Sequence, residues 1–229
     1  MDARASQQGA RTWPAGAVCL ETYPEEGAWE LGDPEAPALL ALASGEDPRA
    51  RPGPVRIARD VIVEGGTQRS WTLVSVSLLT PEEVASERHT QHLTHDCNLL
   101  AGRLAHLLRA FRDDPRLARR PWVVVAAGHA AAAGLICAAA LPGRMAGLVS
   151  WQGRPDLAGA ALGHVRCPVL LAVDEEDTPL LDLNRRAQRR LPGRCDLLRL
   201  PRSQDREHAL ARAIARWLVP LSGGLGRAA

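Results

Sequence analysis

Short apolar segments alternate with amphipathic ones along most of the chain. Runs rich in β-branched and aliphatic residues predict strands, at 17–23, 28–31, 36–43, 71–78, 122–127, 146–151, 167–173 and 195–200. Helical periodicity or helix-ending glycines predict helices, at 55–64, 94–111, 130–141, 180–191 and 207–218. Strands that alternate with helices predict an α/β fold, a mainly parallel sheet with helices on both faces.

The two ends of the chain lack this pattern. Residues 1–14 and 222–229 are predicted as flexible tails, which leaves one domain over 15–221, a size that can bury a substantial core. The first strands, 17–23 and 28–31, are separated by Pro-Glu-Glu-Gly and predict a hairpin.

Composition narrows the classes of function. The net charge is only +2, which is too small to indicate nucleic acid or an anionic membrane surface as a partner. All 28 basic residues are arginine. No apolar run approaches the ~20 residues of a membrane span, and the polar N-terminus has no signal-peptide core. Five cysteines without a Cys-x-x-Cys pair favour a reducing, cytoplasmic setting.

The most informative segment runs from Trp122 to Gly134. An apolar strand turns sharply at Ala127-Gly128-His129 into an alanine-rich helix. This strand-turn-helix has the shape of the G-x-S-x-G elbow that presents a nucleophilic serine in α/β-hydrolases. We place His129 at the apex, with alanine at both flanking glycine positions, so the serine has been lost.

Several further motifs extend this similarity over about half of the chain. They are Leu78-Leu-Thr-Pro-Glu-Glu83, His92-Leu-x-x-Asp96, Leu99-Leu-Ala-x-Arg-Leu104, Gly153-Arg-Pro-Asp-Leu-Ala-Gly159, Arg166-Cys-Pro-Val-Leu-Leu171 and Asp177-Thr-Pro-Leu-Leu-Asp-Leu-Asn-Arg-Arg186. With them the chain resembles bacterial α/β-hydrolases of the dienelactone hydrolase type, a group often joined to phosphoribosyltransferase-like domains. The resemblance implies an α/β-hydrolase fold.

The resemblance also implies positions for a Ser, Asp, His triad. The serine position falls on His129 and the acid position on Asp177. The histidine position falls on Asp205 if the last loop is read without a gap, or on His208 if that loop is shortened. The oxyanion segment resembles Leu42-Ala43-Ser44-Gly45, whose first half departs from the family's form.

These departures predict a protein with a degenerate triad, a non-catalytic binding or regulatory module. The alternative is a hydrolase of small esters or lactones with a rearranged site, in which His129 is nucleophile or base. The structural interpretation is that His129 fills the pocket of the former active site and forms a hydrogen bond with Asp177. No cofactor is expected. The partners to consider are a small-molecule ligand and a phosphoribosyltransferase-like protein, the latter from the resemblance alone.

Two polar clusters invite other interpretations. His89, His92, His95 and Asp96 include metal-ligating types, but on a helix only His92 and Asp96 share a face. We expect a polar helix face and no metal. At Arg154-Pro155-Asp156 we expect an Arg–Asp pair that braces a turn rather than a pocket rim.

Overall fold

The computed structural model describes residues 11–13, 16–23, 38–43, 53–64, 71–90, 92–113, 117–203 and 205–224. Within these ranges eight strands form one sheet: β1 (Arg11–Trp13), β2 (Gly16–Tyr23), β3 (Ala38–Ala43), β4 (Trp71–Ser77), β5 (Trp122–Ala127), β6 (Met145–Trp151), β7 (Val169–Asp174) and β8 (Cys195–Leu200).

The strand order in the sheet is β1-β2-β4-β3-β5-β6-β7-β8. β2 runs antiparallel to β1 and β4, and the six strands from β4 to β8 in this order are parallel. The prediction of a mainly parallel sheet is confirmed. Because ligands of such sheets bind beyond the carboxyl ends of the strands, those ends are where a site is expected.

Seven α-helices accompany the sheet in the described ranges: α1 (Gly53–Glu64), α2 (Pro81–Thr90), α3 (His92–His95), α4 (Cys97–Asp113), α5 (Gly128–Ala140), α6 (Thr178–Gln188) and α7 (Arg206–Gly224). A 3₁₀ segment, Pro155–His164, follows β6 and was not predicted. None of these helices has both the length and the apolar character needed to cross a bilayer, a finding limited to the described residues.

The helix predicted over 94–111 is interrupted at Asp96. The Asp96 carboxylate accepts hydrogen bonds from the backbone N–H groups of Asn98 (3.1 Å) and Leu99 (2.9 Å) and so caps the start of α4. Aspartate is favoured at such N-cap positions because it satisfies donors that a helix start leaves free. The cap separates α3 from α4.

Each face of the sheet has its own apolar core. In β5 the side chains of Trp122, Val124 and Ala126 face the core shared with α4 and α5. The side chains of Val123 and Val125 face the core shared with α1 and α7. A strand buried on both faces reads as a continuous apolar run, which is why 122–127 was predictable from the sequence.

The predicted tails are too long at both ends. β1 lies within residues 1–14, because its three residues pair with β2 in a register from Arg11↔Val18 to Trp13↔Gly16. α7 reaches Gly224 rather than ending near 218. A hairpin was predicted between 17–23 and 28–31, and the second of these segments lies outside the described residues. The first corresponds to β2, which pairs with β1 and β4.

Packing between α4 and β5 provides a test of the fold. Phe111 is 1% exposed and stacks on Trp122 with ring centroids 4.8 Å apart. We expect Phe111→Ala to lower the free energy of unfolding by about 3–5 kcal/mol, because it leaves a cavity in the core. Val63, which is 70% exposed, is the control, and Val63→Ala is expected to change stability by no more than about 0.5 kcal/mol. Equal effects in urea unfolding would contradict this packing.

Candidate active site

The turn between β5 and α5 is made by a single residue, Gly128. Ala127 is still extended, with φ −126° and ψ 161°, and α5 begins at Gly128, whose φ is +52°. Residues with a side chain rarely adopt this conformation, whereas glycine does so without strain. The apex of the elbow is therefore Gly128, and the sequence interpretation that placed His129 there is corrected by one residue.

The apex offers no reactive group. A Cβ atom built on Gly128 meets no other heavy atom of the described residues within 4 Å. In the G-x-S-x-G pattern centred on Gly128, the glycine positions fall on Ala126 and Ala130. The signal that could have identified the apex was the glycine itself, at a strand-to-helix junction.

His129 follows the apex and contacts the junction between α3 and α4. Its ring packs edge-on against His95, with ring centroids 4.2 Å apart and planes at 85°. The Cys97 thiol lies 3.7 Å from the His129 carbonyl oxygen, to which it donates. Burial lowers the pKa of His129, and the charges of His95 and Arg154 lower it further, while Asp156 opposes them. The site favours a neutral imidazole.

Cys97 is a buried thiol next to the elbow. It is 7% exposed, and burial raises the pKa of its thiol, with Asp96 adding to the effect. Because the thiolate is the reactive form of cysteine, this environment keeps Cys97 unreactive.

Arg154 ties the loop after β6 to the elbow. Its backbone N–H donates to the Gly128 carbonyl oxygen at 3.2 Å. Its guanidinium donates to both carboxylate oxygens of Asp156, at 2.9 and 2.8 Å, and this pairing lowers the pKa of Asp156. The pair braces the turn, as the sequence analysis favoured.

Gly153 explains why this loop lies so close to α5. A Cβ there would stand 1.9 Å from Ser150 Oγ and 2.8 Å from Ala131 Cβ, so no larger residue fits without movement. Asn184 on α6 donates to the Gly153 carbonyl oxygen at 3.1 Å. The loop is thereby held between β6, α5 and α6.

The other two triad positions serve local structure. Asp177 is the N-cap of α6, where its carboxylate accepts from the Leu180 N–H at 3.0 Å. His208 lies on α7 beside α1, 3.1 Å from a Glu64 carboxylate oxygen and 3.9 Å from one of Asp60. Within the described residues no hydrogen bond or ion pair joins His129, Asp177 and His208, so the expected network is not formed.

The remaining candidates are dispersed in the same way. The Asp205 carbonyl oxygen accepts from Ala209 at the start of α7, and Asp205 and His208 line a cavity of about 530 Å³ beside α1. Leu42 and Ala43 end β3, while Ser44 and Gly45 lie outside the described residues. Sequence reasoning missed Asp174, at the end of β7, which forms an ion pair with Arg206.

The histidine cluster is also spread out. His92 is exposed, His95 contacts His129, Asp96 caps α4, and the His89 side chain lies outside the described residues. In the portion of the chain that the structure describes, no three or more His, Cys, Asp or Glu side chains form a group able to hold a metal ion.

Known proteins resemble this chain in sequence and in fold. No family model matches the sequence. Two Mycobacterium tuberculosis proteins, from strains CDC 1551 / Oshkosh and ATCC 25618 / H37Rv, are each named "Putative phosphoribosyl transferase" and are 35% identical over 175 residues. The match covers 76% of this chain but only 38% of those proteins, so the chain spans well under half of their length.

Solved structures match a larger share of both chains than these sequence relatives do. Dienelactone hydrolase from Anabaena variabilis ATCC 29413 superposes with a TM-score of 0.75 and 27% identity, over 89% of this chain and 92% of that one. Est1E from Butyrivibrio proteoclasticus gives a TM-score of 0.65 at 8% identity, over 90% of this chain and 94% of that one. At that identity Est1E supports the fold alone.

The sheet order, the elbow and these similarities place the chain in the α/β-hydrolase superfamily. Within the superfamily it is related to the dienelactone hydrolases.

Burial of the His129 ring predicts a pH dependence. A lowered pKa means that the unfolded chain binds the proton more readily than the folded protein, so stability decreases as the pH falls below about 6.5. We expect His129→Gln to lose less stability than the wild type between about pH 7.5 and pH 5. Urea unfolding at a series of pH values measures this.

The matched control is His106→Gln, at an exposed histidine of α4, which is expected to keep the wild-type pH profile. If His129→Gln also follows the wild-type profile, the ring is not desolvated as the structure indicates.

Proposed function

We propose that the chain is a non-catalytic α/β-hydrolase-fold module that acts in binding or regulation. The observation that carries this proposal is the apex of the elbow, where Gly128 has the backbone conformation of a nucleophile position but no side chain. Acyl transfer in this fold needs a nucleophile, a base that activates it and donors for the oxyanion.

The surroundings of Gly128 support the proposal. The thiol beside the elbow, Cys97, is buried and its pKa is raised, which disfavours the reactive thiolate. The acid position, Asp177, is engaged in capping α6. His208 makes its contacts with carboxylates of α1.

In this proposal the ligand is a small molecule that binds beside Gly128, where no described residue comes within 4 Å of an added Cβ. The His129 ring and the Arg154–Asp156 pair would offer it hydrogen-bonding groups. The cysteines Cys97 and Cys137, which are buried, and Cys167 and Cys195, which are half-buried, are all free. Free cysteines favour a reducing compartment, and hence the cytoplasm as the location of the protein.

The alternative function is that of a dienelactone hydrolase-like enzyme acting on small esters or lactones. It is supported by the 27% identity to the Anabaena variabilis protein. In that case His129 is the reacting group, since it is the imidazole beside the elbow.

Esterase activity distinguishes the two functions. We expect the wild type to hydrolyse p-nitrophenyl acetate at the rate of a heat-denatured sample and to remain unlabelled by a fluorophosphonate probe, because the apex has no hydroxyl. Turnover above that background that is lost in His129→Gln would establish the alternative function instead.

A serine restored at the apex separates loss of the nucleophile from loss of the remaining machinery. Gly128→Ser has room for its side chain, although its φ of +52° costs about 1–3 kcal/mol in a non-glycine residue. We expect no labelling by the probe, because among the described residues the imidazole paired with carboxylates is His208, whose partners are Asp60 and Glu64 of α1. His129→Ser, one residue beyond the apex, is the control. If the probe labelled Gly128→Ser but not His129→Ser, the protein would still hold a base and oxyanion donors that can activate a serine at the apex.

A second candidate role is association with a phosphoribosyltransferase-like protein. The names of the two Mycobacterium tuberculosis relatives favour it, since only part of their length corresponds to this chain. Size-exclusion chromatography of the purified chain mixed with such a protein from the same organism tests it. Separate elution at micromolar concentrations would contradict stable association.

A further inference from the structure

Five exposed arginines gather where β7 and β8 begin and α6 ends. We call this surface the basic edge, and its members are Arg166, Arg186, Arg189, Arg190 and Arg194. Two of them precede strands that start side by side, since the first residues of β7 and β8, Val169 and Cys195, are register partners. The basic edge therefore lies at the amino end of the parallel strands, away from the elbow.

Backbone contacts hold the basic edge together. The Arg194 carbonyl oxygen accepts from the Val169 N–H at 2.9 Å, and a Cβ on Gly193 would lie 3.3 Å from the Arg166 carbonyl oxygen. The end of α6 is joined to the start of β8 by Gln188, whose side-chain amide donates to the Cys195 carbonyl oxygen at 2.9 Å. These contacts bring residues distant in sequence to one surface.

The positive charge of this surface is only partly balanced. No acidic residue occurs between Asp156 and Asp174 or between Asp182 and Asp196. Arg194 pairs with Asp196 at 2.8 Å, and Arg190 donates to the Gly159 carbonyl oxygen at 2.8 Å. Within the part of the chain that the structure describes, the other three arginines have no hydrogen-bonded or ionic partner from their side chains.

We infer that the basic edge is a docking surface for an acidic segment of a partner protein. Guanidinium groups match carboxylates geometrically through paired hydrogen bonds, and several exposed arginines on one rigid surface can engage several carboxylates at once. This inference is independent of the elbow and stands whether or not the protein is catalytic.

An acidic protein segment fits this surface better than nucleic acid does. Proteins that bind single-stranded nucleic acid stack its bases on exposed aromatic rings. The large exposed apolar side chains of the described residues are Val63, Leu157 and Val219, and none of these is aromatic. The chain also has a net charge of only +2, so its positive potential is local rather than spread along a groove. A short run of carboxylates matches a local surface of this kind.

The charges have a competing structural explanation. Cations near the end of a helix stabilise its free carbonyl groups, and Arg186 and Arg189 lie at the end of α6. That explanation does not cover Arg166, which precedes β7, and it predicts an effect on stability rather than on binding.

Binding of a fluorescein-labelled peptide of consecutive glutamates, followed by anisotropy at low salt, tests the inference. The test variant combines Arg186→Gln with Arg189→Gln. The control combines Arg212→Gln with Arg216→Gln, two exposed arginines of α7 that remove the same charge elsewhere. We expect the test variant to bind about fivefold more weakly than the wild type and the control to change by less than about twofold. Both variants are also compared with the wild type in thermal melting.

The expected differences, with binding weakened by added salt, would support the inference. Equal losses in both variants, or no binding by the wild type at millimolar peptide, would overturn it. A lower melting temperature of the test variant with unchanged peptide binding would overturn it in favour of helix stabilisation. Tighter binding of a DNA oligonucleotide than of the peptide, lost in the same variant, would replace the acidic protein segment with nucleic acid.

Discussion

The site depends on a strand that becomes a helix within one residue. Gly128 makes this turn at φ +52°, and its carbonyl oxygen is held by the backbone N–H of Arg154. Because the turn is abrupt, the first residues of α5 emerge at the carboxyl end of β5, where the His129 ring meets His95. The positions of the loop after β6 and of the α3–α4 junction both follow from this turn.

The sheet explains why the polar residues do not converge. α5 packs on one apolar core of the sheet, whereas α7, which carries His208, packs with α1 on the other. His208 thus finds its partners, Asp60 and Glu64, on α1. What remains near the elbow is an imidazole whose pKa is lowered by burial, a paired Arg–Asp and a buried thiol.

Small residues at the elbow determine how closely its parts approach one another. Gly153 allows the loop after β6 to lie against Ser150 and Ala131, and the alanines of the first turns of α5 leave its backbone near the sheet. Beside these small residues, burial raises the pKa of the Cys97 thiol and lowers that of the His129 imidazole.

The sequence by itself determined the order of strands and α-helices from 122 to 200 and the elbow after β5. Strands buried on both faces leave continuous apolar runs and amphipathic helices leave a helical period, and neither pattern depends on distant contacts. The apex was placed one residue too late, at His129. The glycine at the strand-to-helix junction is the sequence signal for it, and the φ of +52° at Gly128 establishes the position. The sequence did not determine that Asp96 ends one helix and begins another, that β1 extends the sheet, or that His208 faces α1. Those outcomes follow from caps, strand pairing and the packing of helices on opposite faces, which are contacts between residues that the chain order does not bring together.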